Sequence, residues 1–283
     1  MGRGMAARLL DRGHELIIWN RTQAAAEALR ERGASVAAHV ESTLEADAVI
    51  TMLADDAAVE AVWIDSGLIQ KIPPETVHLN MASVSLRMGR RLAGLHGDRG
   101  TPYVSAPVFG RPQAALSGQL DIVAAGPREA IGRCTPLFEA LGKQWFDLGD
   151  TATQANVVKI ARNYLLGTII ESLGEAFALV AKSGVEPTRF LEILTSTSLN
   201  SPAYKNYGRL IIEPPSQPTF TLRLGKKDVE LALEAGADTG VPMPMAALMR
   251  EQHIAAISRG YGEGDWAALG NYIAECAGLA RRE

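Results

Sequence analysis

The fold class is decided by residues 47–63, which read DAVITMLADDAAVEAVW. The apolar run Asp47–Leu53 predicts a short buried strand, and Ala57–Trp63 predicts a helix. The same order recurs on both sides, with predicted strands at Glu15–Trp19 and Thr76–Asn80 and further strands at Pro102–Ala106 and Leu120–Ala125. Strands separated by helices of about ten residues indicate βαβ units and a mostly parallel sheet with helices on both faces.

The pattern changes near residue 150. Ala152–Ser183 predicts one long helix, and the rest of the chain predicts helices without a returning strand pattern. Gly167 and Gly174 lie inside the long helix, where glycine is unfavourable, so they predict close packing. We therefore expect a doubly wound α/β domain in residues 1–150 and an all-α domain in residues 151–283.

Composition excludes several classes of protein. The chain has 283 residues and a net charge of −4, which argues against a strongly basic nucleic-acid binder. Its 6% of aromatic residues argues against a surface on which bases stack. Cys134 and Cys276 are too few for a disulfide framework and favour a reducing, cytoplasmic location. The most apolar stretch, Tyr164–Ala181, carries Glu171 and Glu175, so no membrane span is expected. The five histidines lack the spacing of metal ligands, so no metal is expected.

The first cofactor signal lies at the start of the chain. Gly2 precedes a predicted helix, where the third glycine of a dinucleotide-binding loop would lie. Asn20 follows a strand 18 positions later, close to the place where such folds contact the adenosine ribose. The turn Asn20–Arg21–Thr22 carries no carboxylate to repel a 2′-phosphate, and an arginine binds one. These residues predict a Rossmann-type domain that prefers NADP, although Arg21 as a solvated turn residue is an alternative.

Two further loops follow predicted strands. Leu53 and Ala54 come after the third strand, and Ser83 comes after the fourth. Ligands bind at the carboxyl ends of parallel strands, so we expect these residues to line the cofactor. Ser83 could instead cap the helix predicted to begin near Leu86.

Four blocks in this order resemble the β-hydroxyacid dehydrogenase superfamily, which includes 3-hydroxyisobutyrate dehydrogenases, tartronate semialdehyde reductases and glyoxylate reductases. They are MGRGMAARLLDRGHELIIWNRT, APVFGRPQAALSGQL, NVVKIARN and LGKKDVELALEAG. The resemblance covers nearly the whole chain and implies a Rossmann domain, a long interdomain helix, a helical C-terminal domain and a homodimer or homotetramer. The family opens with a strand and a G-L-G-x-M-G loop, whereas this sequence begins at the M-G. From this we expect the native protein to carry about a dozen more residues, roughly a strand and its loop.

The resemblance also implies the catalytic residues. Lys159 and Asn163 match the family's catalytic lysine and its neighbouring asparagine, and a spacing of four places them on one helix face. Reduction of a carbonyl builds an alkoxide, to which an ammonium group can donate a proton. Oxidation requires the neutral amine instead, a form that lysine can adopt and arginine cannot. Asn163 would orient Lys159 or the substrate hydroxyl.

The substrate loop departs from the family's pattern. Residues 105–112 (SAPVFGRP) correspond to the family's D-A-P-V-S-G-G loop, whose serine and glycine hold the substrate carboxylate. Phe109 stands where that serine would be, followed by Gly110 and Arg111. The backbone of these two residues and the Arg111 guanidinium could still bind an anion. Alternatively, Phe109 lines an apolar pocket for a bulkier aldehyde, ketone or imine, and Arg111 is a solvated loop residue.

In the fourth block, the resemblance assigns Phe220 and Asp228 to the substrate and Lys227 to the cofactor. Lys226, Lys227 and Asp228 could instead form the polar start of an amphipathic helix. The expected protein is an NADPH-dependent reductase or dehydrogenase of small carbonyl or hydroxy acid compounds. An imine reductase-like enzyme and a non-catalytic dinucleotide-binding sensor or scaffold are alternatives. Retained Lys159 disfavours the imine reductase, because that group usually carries aspartate or tyrosine there. The missing first strand and Phe109 support the sensor, whereas the Lys159 and Asn163 pair counts against it.

Overall fold

The structure is a computed structural model that describes residues 1–280. Its contacts divide the chain into two compact units, Met1–Lys159 and the residues from Ile160 on. The first contains all the strands found in the described residues, and the second is helical. The structure therefore has the expected fold class, a Rossmann-type α/β domain followed by an all-α domain.

The strands of the N-terminal unit form three sheets. Their bounds are β1 (Ile17–Ile18), β2 (Ser35–Val36), β3 (Ala48–Thr51), β4 (Val77–Asn80), β5 (Tyr103–Ser105), β6 (Val108–Phe109), β7 (Leu120–Ala124) and β8 (Gly142–Asp147). Strands β1 and β2 pair in parallel. Strands β3, β4 and β5 pair in parallel in that order, whereas β6 pairs antiparallel to β7, and β7 pairs parallel to β8. The strands predicted at residues 15, 47, 76, 102 and 120 are confirmed, and the mostly parallel sheet acquires an antiparallel member in β6.

Helices alternate with these strands. Their bounds are α1 (Gly2–Asp11), α2 (Gln23–Glu27), α3 (Asp56–Val59), α4 (Leu68–Lys71), α5 (Leu86–Gly97), α6 (Pro112–Leu116) and α7 (Arg128–Leu141). Helix α3 continues as a π-helical segment, Glu60–Asp65. The cap of α5 is Ser85, whose hydroxyl accepts from the Met88 amide, so the alternative in which Ser83 caps this helix is wrong.

A polar chain crosses the core of the N-terminal unit. The Trp63 indole donates to Thr51 Oγ1 at 2.8 Å, and that oxygen lies 2.9 Å from His78 Nε2. His78 Nδ1 lies 2.8 Å from His96 Nε2, and His96 Nδ1 lies 2.7 Å from Thr101 Oγ1. One set of tautomers satisfies every member: each histidine is neutral, accepts at Nε2 and donates from Nδ1. Burial lowers the pKa of both imidazoles, that of His96 to about 4.

The C-terminal unit is a helical bundle. Its helices are the continuation of α8 (Thr153–Lys182), α9 (Pro187–Thr195), α10 (Pro202–Ile212), α11 (Leu222–Thr239), α12 (Pro244–Ala256) and α13 (Ala268–Cys276). Helix α11 begins four residues earlier than the polar stretch at Lys226, because Thr221 Oγ1 accepts from the Leu224 amide and caps it there. Lys226, Lys227 and Asp228 consequently lie in its second turn rather than at its start.

Small residues let these helices approach closely. A Cβ on Gly174 of α8 would lie 2.8 Å from the Gly270 Cα of α13, and a Cβ on Gly167 would lie 3.2 Å from the Trp266 ring. The prediction that both glycines mark close packing is confirmed. By length and composition α8 could also cross a membrane, but a buried core helix meets the same criterion, so this is weak evidence.

Candidate functional site

The loops after β3 and β4 are tied together at the carboxyl ends of the parallel strands. The Asp56 carboxylate accepts from the Ser85 amide at 2.9 Å and from the Ser85 hydroxyl at 2.5 Å. Asp55 caps α3 by accepting from the Ala58 amide at 2.9 Å. The loops that carry Ala54 and Ser83 are thus held side by side, as expected of neighbouring parallel strands.

Three of the predicted cofactor residues line one cavity of the N-terminal unit. Gly2, Asn20 and Leu53 belong to the wall of a cavity of about 270 Å³ between β1, β3 and α1. A Cβ on Gly2 would touch the Met52 side chain at 3.8 Å, so the start of α1 abuts the end of β3. Ala54, Ser83, Arg21 and Thr22 do not line this cavity.

The turn after β1 leaves one cation exposed. Asn20 Nδ2 donates to the Thr22 carbonyl at 2.8 Å and so shapes the turn rather than pointing freely outward. Arg21 is exposed and has no salt bridge to another residue in the described part of the chain. Thr22 precedes α2 and is exposed as well. An exposed guanidinium beside a hydroxyl is a donor set that suits a phosphate group.

The structure brings Lys159 to the predicted substrate loop, within the N-terminal unit. Lys159 Nζ donates to the Val108 carbonyl at 2.8 Å and lies 5.2 Å from the centroid of the Phe109 ring. Phe109 is only 8% exposed, because its ring packs with Val123, Ala125 and Ala155. Two sequence blocks about 50 residues apart therefore meet at the ammonium group.

Gly110 and Arg111 form the turn that follows. Gly110 has φ = +140°, and a Cβ there would lie 2.7 Å from Leu120 Cδ2, so both its conformation and its surroundings favour glycine. Arg111 is half-buried and immediately precedes α6. The turn places an arginine directly after the segment that touches Lys159.

Sequence reasoning missed Asn156, one turn before Lys159 on α8. Ser105 Oγ donates to Asn156 Oδ1 at 3.1 Å, and a Cβ on Gly89 would lie 2.6 Å from the same oxygen. Asn156 Nδ2 is buried and has no hydrogen-bond partner in the described chain. The only sequence signal was its position three residues before Lys159, which places both side chains on the same side of the helix. The sequence does not indicate which residue a helical asparagine contacts.

In the C-terminal unit, the structure brings together Asn163, Asp228 and Lys227. Asn163 Nδ2 donates to Asp228 Oδ2 at 2.6 Å, and Lys227 Nζ lies 3.4 Å from Asp228 Oδ1. Asn163 and Asp228 are 6% and 3% exposed. The buried carboxylate therefore fixes the asparagine on α8 and attracts the lysine beside it on α11.

Phe220 belongs to a different environment in the same unit. Its ring lies 5.3 Å from the Trp266 ring, and its carbonyl accepts from the Trp266 amide at 2.9 Å. Trp266 in turn donates from its indole to His253 Nε2 at 2.8 Å. These contacts make Phe220 part of the helical core, and none of them joins it to Asp228.

One buried carboxyl of the C-terminal unit takes no part in these clusters. Glu171 on α8 is 2% exposed, and neither carboxyl oxygen has a hydrogen-bond partner in the described residues. Burial, followed by the charge of Glu175, raises its pKa to about 7. Residues 1–280 contain no group of three or more His, Cys, Asp or Glu side chains that could hold a metal ion.

Comparison with known proteins identifies the family. The family described as the NAD binding domain of 6-phosphogluconate dehydrogenase matches residues 1–149, and that of the NAD-binding domain of NADP-dependent 3-hydroxyisobutyrate dehydrogenase matches residues 153–273. The chain belongs to the β-hydroxyacid dehydrogenase superfamily. Its two matched domains are those of an NAD(P)-dependent oxidoreductase of the β-hydroxyacid dehydrogenase type.

Individual relatives agree with this assignment. The chain is 39% identical over 272 residues to the oxidoreductase YfjR of Bacillus subtilis, with 95% of each chain covered. It is 31% identical over 271 residues to glyoxylate/succinic semialdehyde reductase 1 of Arabidopsis thaliana, covering 95% of this chain and 93% of the relative. The crystal structure of 3-hydroxyisobutyrate dehydrogenase from Salmonella typhimurium shares the fold, with a TM-score of 0.85 at 23% identity over 96% of this chain and 95% of that one.

Proposed function

We propose that this protein is an NADPH-dependent reductase of small carbonyl compounds, with Lys159 as the general acid and base. The observation that carries the proposal is the contact of Lys159 with the substrate loop. Its Nζ is held 2.8 Å from the Val108 carbonyl, on the segment that corresponds to the family's carboxylate-binding loop. A side chain that only solvated the surface would not be fixed there.

The residues at the strand ends fit a nicotinamide dinucleotide. Gly2, Leu53, Ala54 and Ser83 would contact it at the carboxyl ends of the parallel strands. Asn20, Arg21 and Thr22 would surround the adenosine ribose, where the unpaired Arg21 guanidinium suits the 2′-phosphate of NADPH. Lys227 would reach the cofactor from α11. A nicotinamide bound there would supply the hydride, and the protein would hold the dinucleotide mainly through backbone and hydroxyl groups of these residues.

Lys159 supplies the proton. In the direction of reduction, its ammonium group donates to the carbonyl oxygen as negative charge develops there. In the direction of oxidation, the neutral amine takes the proton from the substrate hydroxyl. The Val108 carbonyl restricts the position of Nζ, which reduces the freedom that must be lost when substrate binds.

Asn163 is proposed to orient the substrate hydroxyl or Lys159, and Asp228 to hold Asn163. The 2.6 Å bond to Asp228 fixes the direction in which the Asn163 carboxamide oxygen points. Loss of Asp228 would leave Asn163 without this acceptor and remove one partner of Lys227. Phe220 is kept as a proposed substrate contact, supported by the family's pattern rather than by its contacts.

The substrate is proposed to be a small aldehyde, keto acid or hydroxy acid. Gly110 and Arg111 supply backbone amides and a guanidinium for a carboxylate, although Phe109 supplies no hydroxyl. An imine is the second candidate, because the loop lacks the hydroxyl at position 109 that would hold a carboxylate. A substrate panel that includes succinic semialdehyde, glyoxylate and a cyclic imine separates these classes.

The test is turnover of NADPH with this panel by the wild type, by Lys159→Ala and by Lys71→Ala. Lys71 is an exposed lysine paired with Glu41, so its variant controls for the loss of one positive charge. We expect activity to fall by about 10²–10⁴-fold in Lys159→Ala only. Equal activity in wild type and Lys159→Ala would remove Lys159 from the mechanism. NADPH binding without turnover of any substrate would favour the non-catalytic sensor or scaffold.

We further propose a cytoplasmic homodimer or homotetramer without nucleic-acid or membrane partners. Large apolar side chains of the C-terminal unit are exposed, among them Leu165 at 58%, Leu179 at 69% and Leu248 at 48%. A second copy of the chain would cover such a surface. The division into a cofactor domain (1–150) and a helical domain (151–283) is part of the same proposal.

A further inference from the structure

Phe109 contributes to the proposed site through Lys159 rather than through the substrate. Phe109 is only 8% exposed, which leaves too little surface to line a substrate pocket. The face of the ring, however, lies 5.2 Å from Lys159 Nζ, within the range of a cation–π interaction. The ring face is therefore in contact with the candidate catalytic group.

The ring is held in this position from several sides. Val123 and Ala125 on and after β7 pack against it, as does Ala155, one turn before Lys159 on α8. In the strand pair, Phe109 is in register with Asp121 of β7. Gly110 follows in a conformation that other residues rarely adopt, which fixes the direction of the chain after Phe109. Ring and ammonium group thus belong to one rigid part of the N-terminal unit.

We propose that Phe109 is a positioning residue, whose ring face together with the Val108 carbonyl holds Lys159 in its ammonium form and in place for proton donation. A ring face attracts the charged amine and not the neutral one. A carbonyl oxygen likewise accepts most strongly from an ammonium group. Both contacts favour the form of Lys159 that donates a proton, and a serine at position 109 would supply no ring face. The catalytic part of this inference rests on the proposed role of Lys159.

The test changes the charge distribution of the ring while preserving its shape. Fluorinated phenylalanines with one, two and five fluorine atoms are incorporated at position 109, since each fluorine weakens the negative ring face. The reactivity of Lys159 is measured at one fixed pH by competitive labelling with acetic anhydride and peptide mass spectrometry. Only the neutral amine reacts, so we expect acetylation of Lys159 to rise with each step, by about tenfold across the series. Lys143, an exposed lysine in the same unit, serves as the internal reference.

Turnover measured on the same proteins connects the contact to catalysis. We expect kcat of carbonyl reduction to fall in the same order while KM for NADPH stays constant. Phe109→Leu, which keeps an apolar side chain without a ring face, should resemble the pentafluoro protein. Ile131→Val removes a methyl group from a core cluster of the same unit that does not contain Phe109, and should lower Tm while leaving kcat within about twofold of the wild type.

The outcomes are distinguishable. Labelling and kcat that do not change with fluorination would overturn the inference, whatever the role of Lys159. If Lys159→Ala retains full activity but labelling still follows fluorination, the proposed catalytic role fails, the ring–ammonium contact stands, and its part in proton donation is refuted. In a third outcome, Lys159→Ala is inactive and acetylation of Lys159 rises with fluorination, but kcat stays constant across the series. The ring then contacts the amine without contributing to turnover, and the positioning role is refuted.

Discussion

Replacing Glu171 with glutamine should remove a pH dependence from the stability of the C-terminal unit. The carboxyl is 2% exposed, and burial raises its pKa to about 7, against an ordinary value of 4.5. Between these two values the folded state binds more protons than the unfolded state, so stability falls as pH rises from about 4.5 to about 7. Each tenfold difference in proton affinity is about 1.4 kcal/mol, and the wild type therefore loses about 2.5 kcal/mol from this group between pH 5 and pH 8.

The experiment compares two proteins at two pH values. The free energy of unfolding is measured by urea at pH 5 and pH 8 for the wild type and Glu171→Gln, and amide hydrogen exchange of α8 peptides assigns the change to that helix. The glutamine amide also lacks a partner, which costs about 1–3 kcal/mol at either pH. This cost cancels when the unfolding free energy of the mutant minus that of the wild type is compared between the two pH values. We expect this difference to shift by about 2.5 kcal/mol in favour of the mutant from pH 5 to pH 8.

Glu175→Gln is the matched control. Glu175 lies one turn further along α8 and is exposed, so the variant removes the same charge from the same helix. Its effect on the pH dependence should be small, because its charge is only the second cause of the raised pKa of Glu171, after burial. If both variants keep the pH dependence of the wild type, the reasoning about a buried, unpaired carboxyl is refuted.

Three further predictions concern other parts of the chain. His96→Asn should be less stable than the wild type at pH 7, by about 1–3 kcal/mol in urea unfolding, because it breaks a buried chain of hydrogen bonds. His96→Asn should also lose less stability on acidification. In the wild type, the free energy of unfolding falls by about 3 kcal/mol between pH 7 and pH 4, because the imidazole of the unfolded chain takes up a proton. An unchanged dependence of the unfolding free energy on pH would contradict this. Arg21→Ala should weaken binding of NADPH by about 1–3 kcal/mol and leave NADH nearly unaffected in fluorescence titrations, and equal losses for both would exclude a phosphate contact. Gly174→Ala should lower stability by about 1–3 kcal/mol because its Cβ would lie 2.8 Å from the Gly270 Cα, whereas Gly132→Ala, with open space around it, should be neutral or stabilising; similar Tm values for both would refute the packing argument.

Much of the fold could be predicted because short apolar segments alternate with amphipathic helices. Strand β4 (Val77–Asn80) is such a segment, and it is buried at every position, including the polar His78 and Asn80, as expected of a central parallel strand. Helix α7 was not predicted, because Pro136 lies inside it and proline usually argues against a helix interior. The antiparallel pairing of β6 with β7 could not be predicted either, since β6 has only two residues and helix α6 lies between the two strands in the sequence.

The candidate site was predicted in its residue types but not in its contacts. Lys159 and Asn163 were found through their match to a family pattern, and Arg21 through its position after a strand. The Lys159–Phe109 contact and the Asn163–Asp228 bond join residues 50 and 65 positions apart, as the structure shows. Such pairs depend on how the helices and strands pack, which a single sequence does not specify. The roles of these residues stay predictions.

The buried histidines of the N-terminal unit and Glu171 of the C-terminal unit make opposite contributions to the pH dependence of stability. In the N-terminal unit, burial lowers the pKa values of His78 and His96, so their contribution to stability is complete above the unfolded value of 6.5 and is lost as pH falls, for His96 through about 4. In the C-terminal unit, Glu171 has a raised pKa, so its penalty is absent below about 4.5 and complete above about 7. Through these groups acid weakens the first unit and alkali the second. His253 of the C-terminal unit, whose pKa burial also lowers, opposes the contribution of Glu171 as pH falls. Hydrogen exchange followed separately in peptides of β4 and α8 should show protection moving in opposite directions between pH 5 and pH 8, after correction for intrinsic exchange rates. Protection that moved together in both peptides would mean that the units do not unfold separately or that other groups outweigh these three.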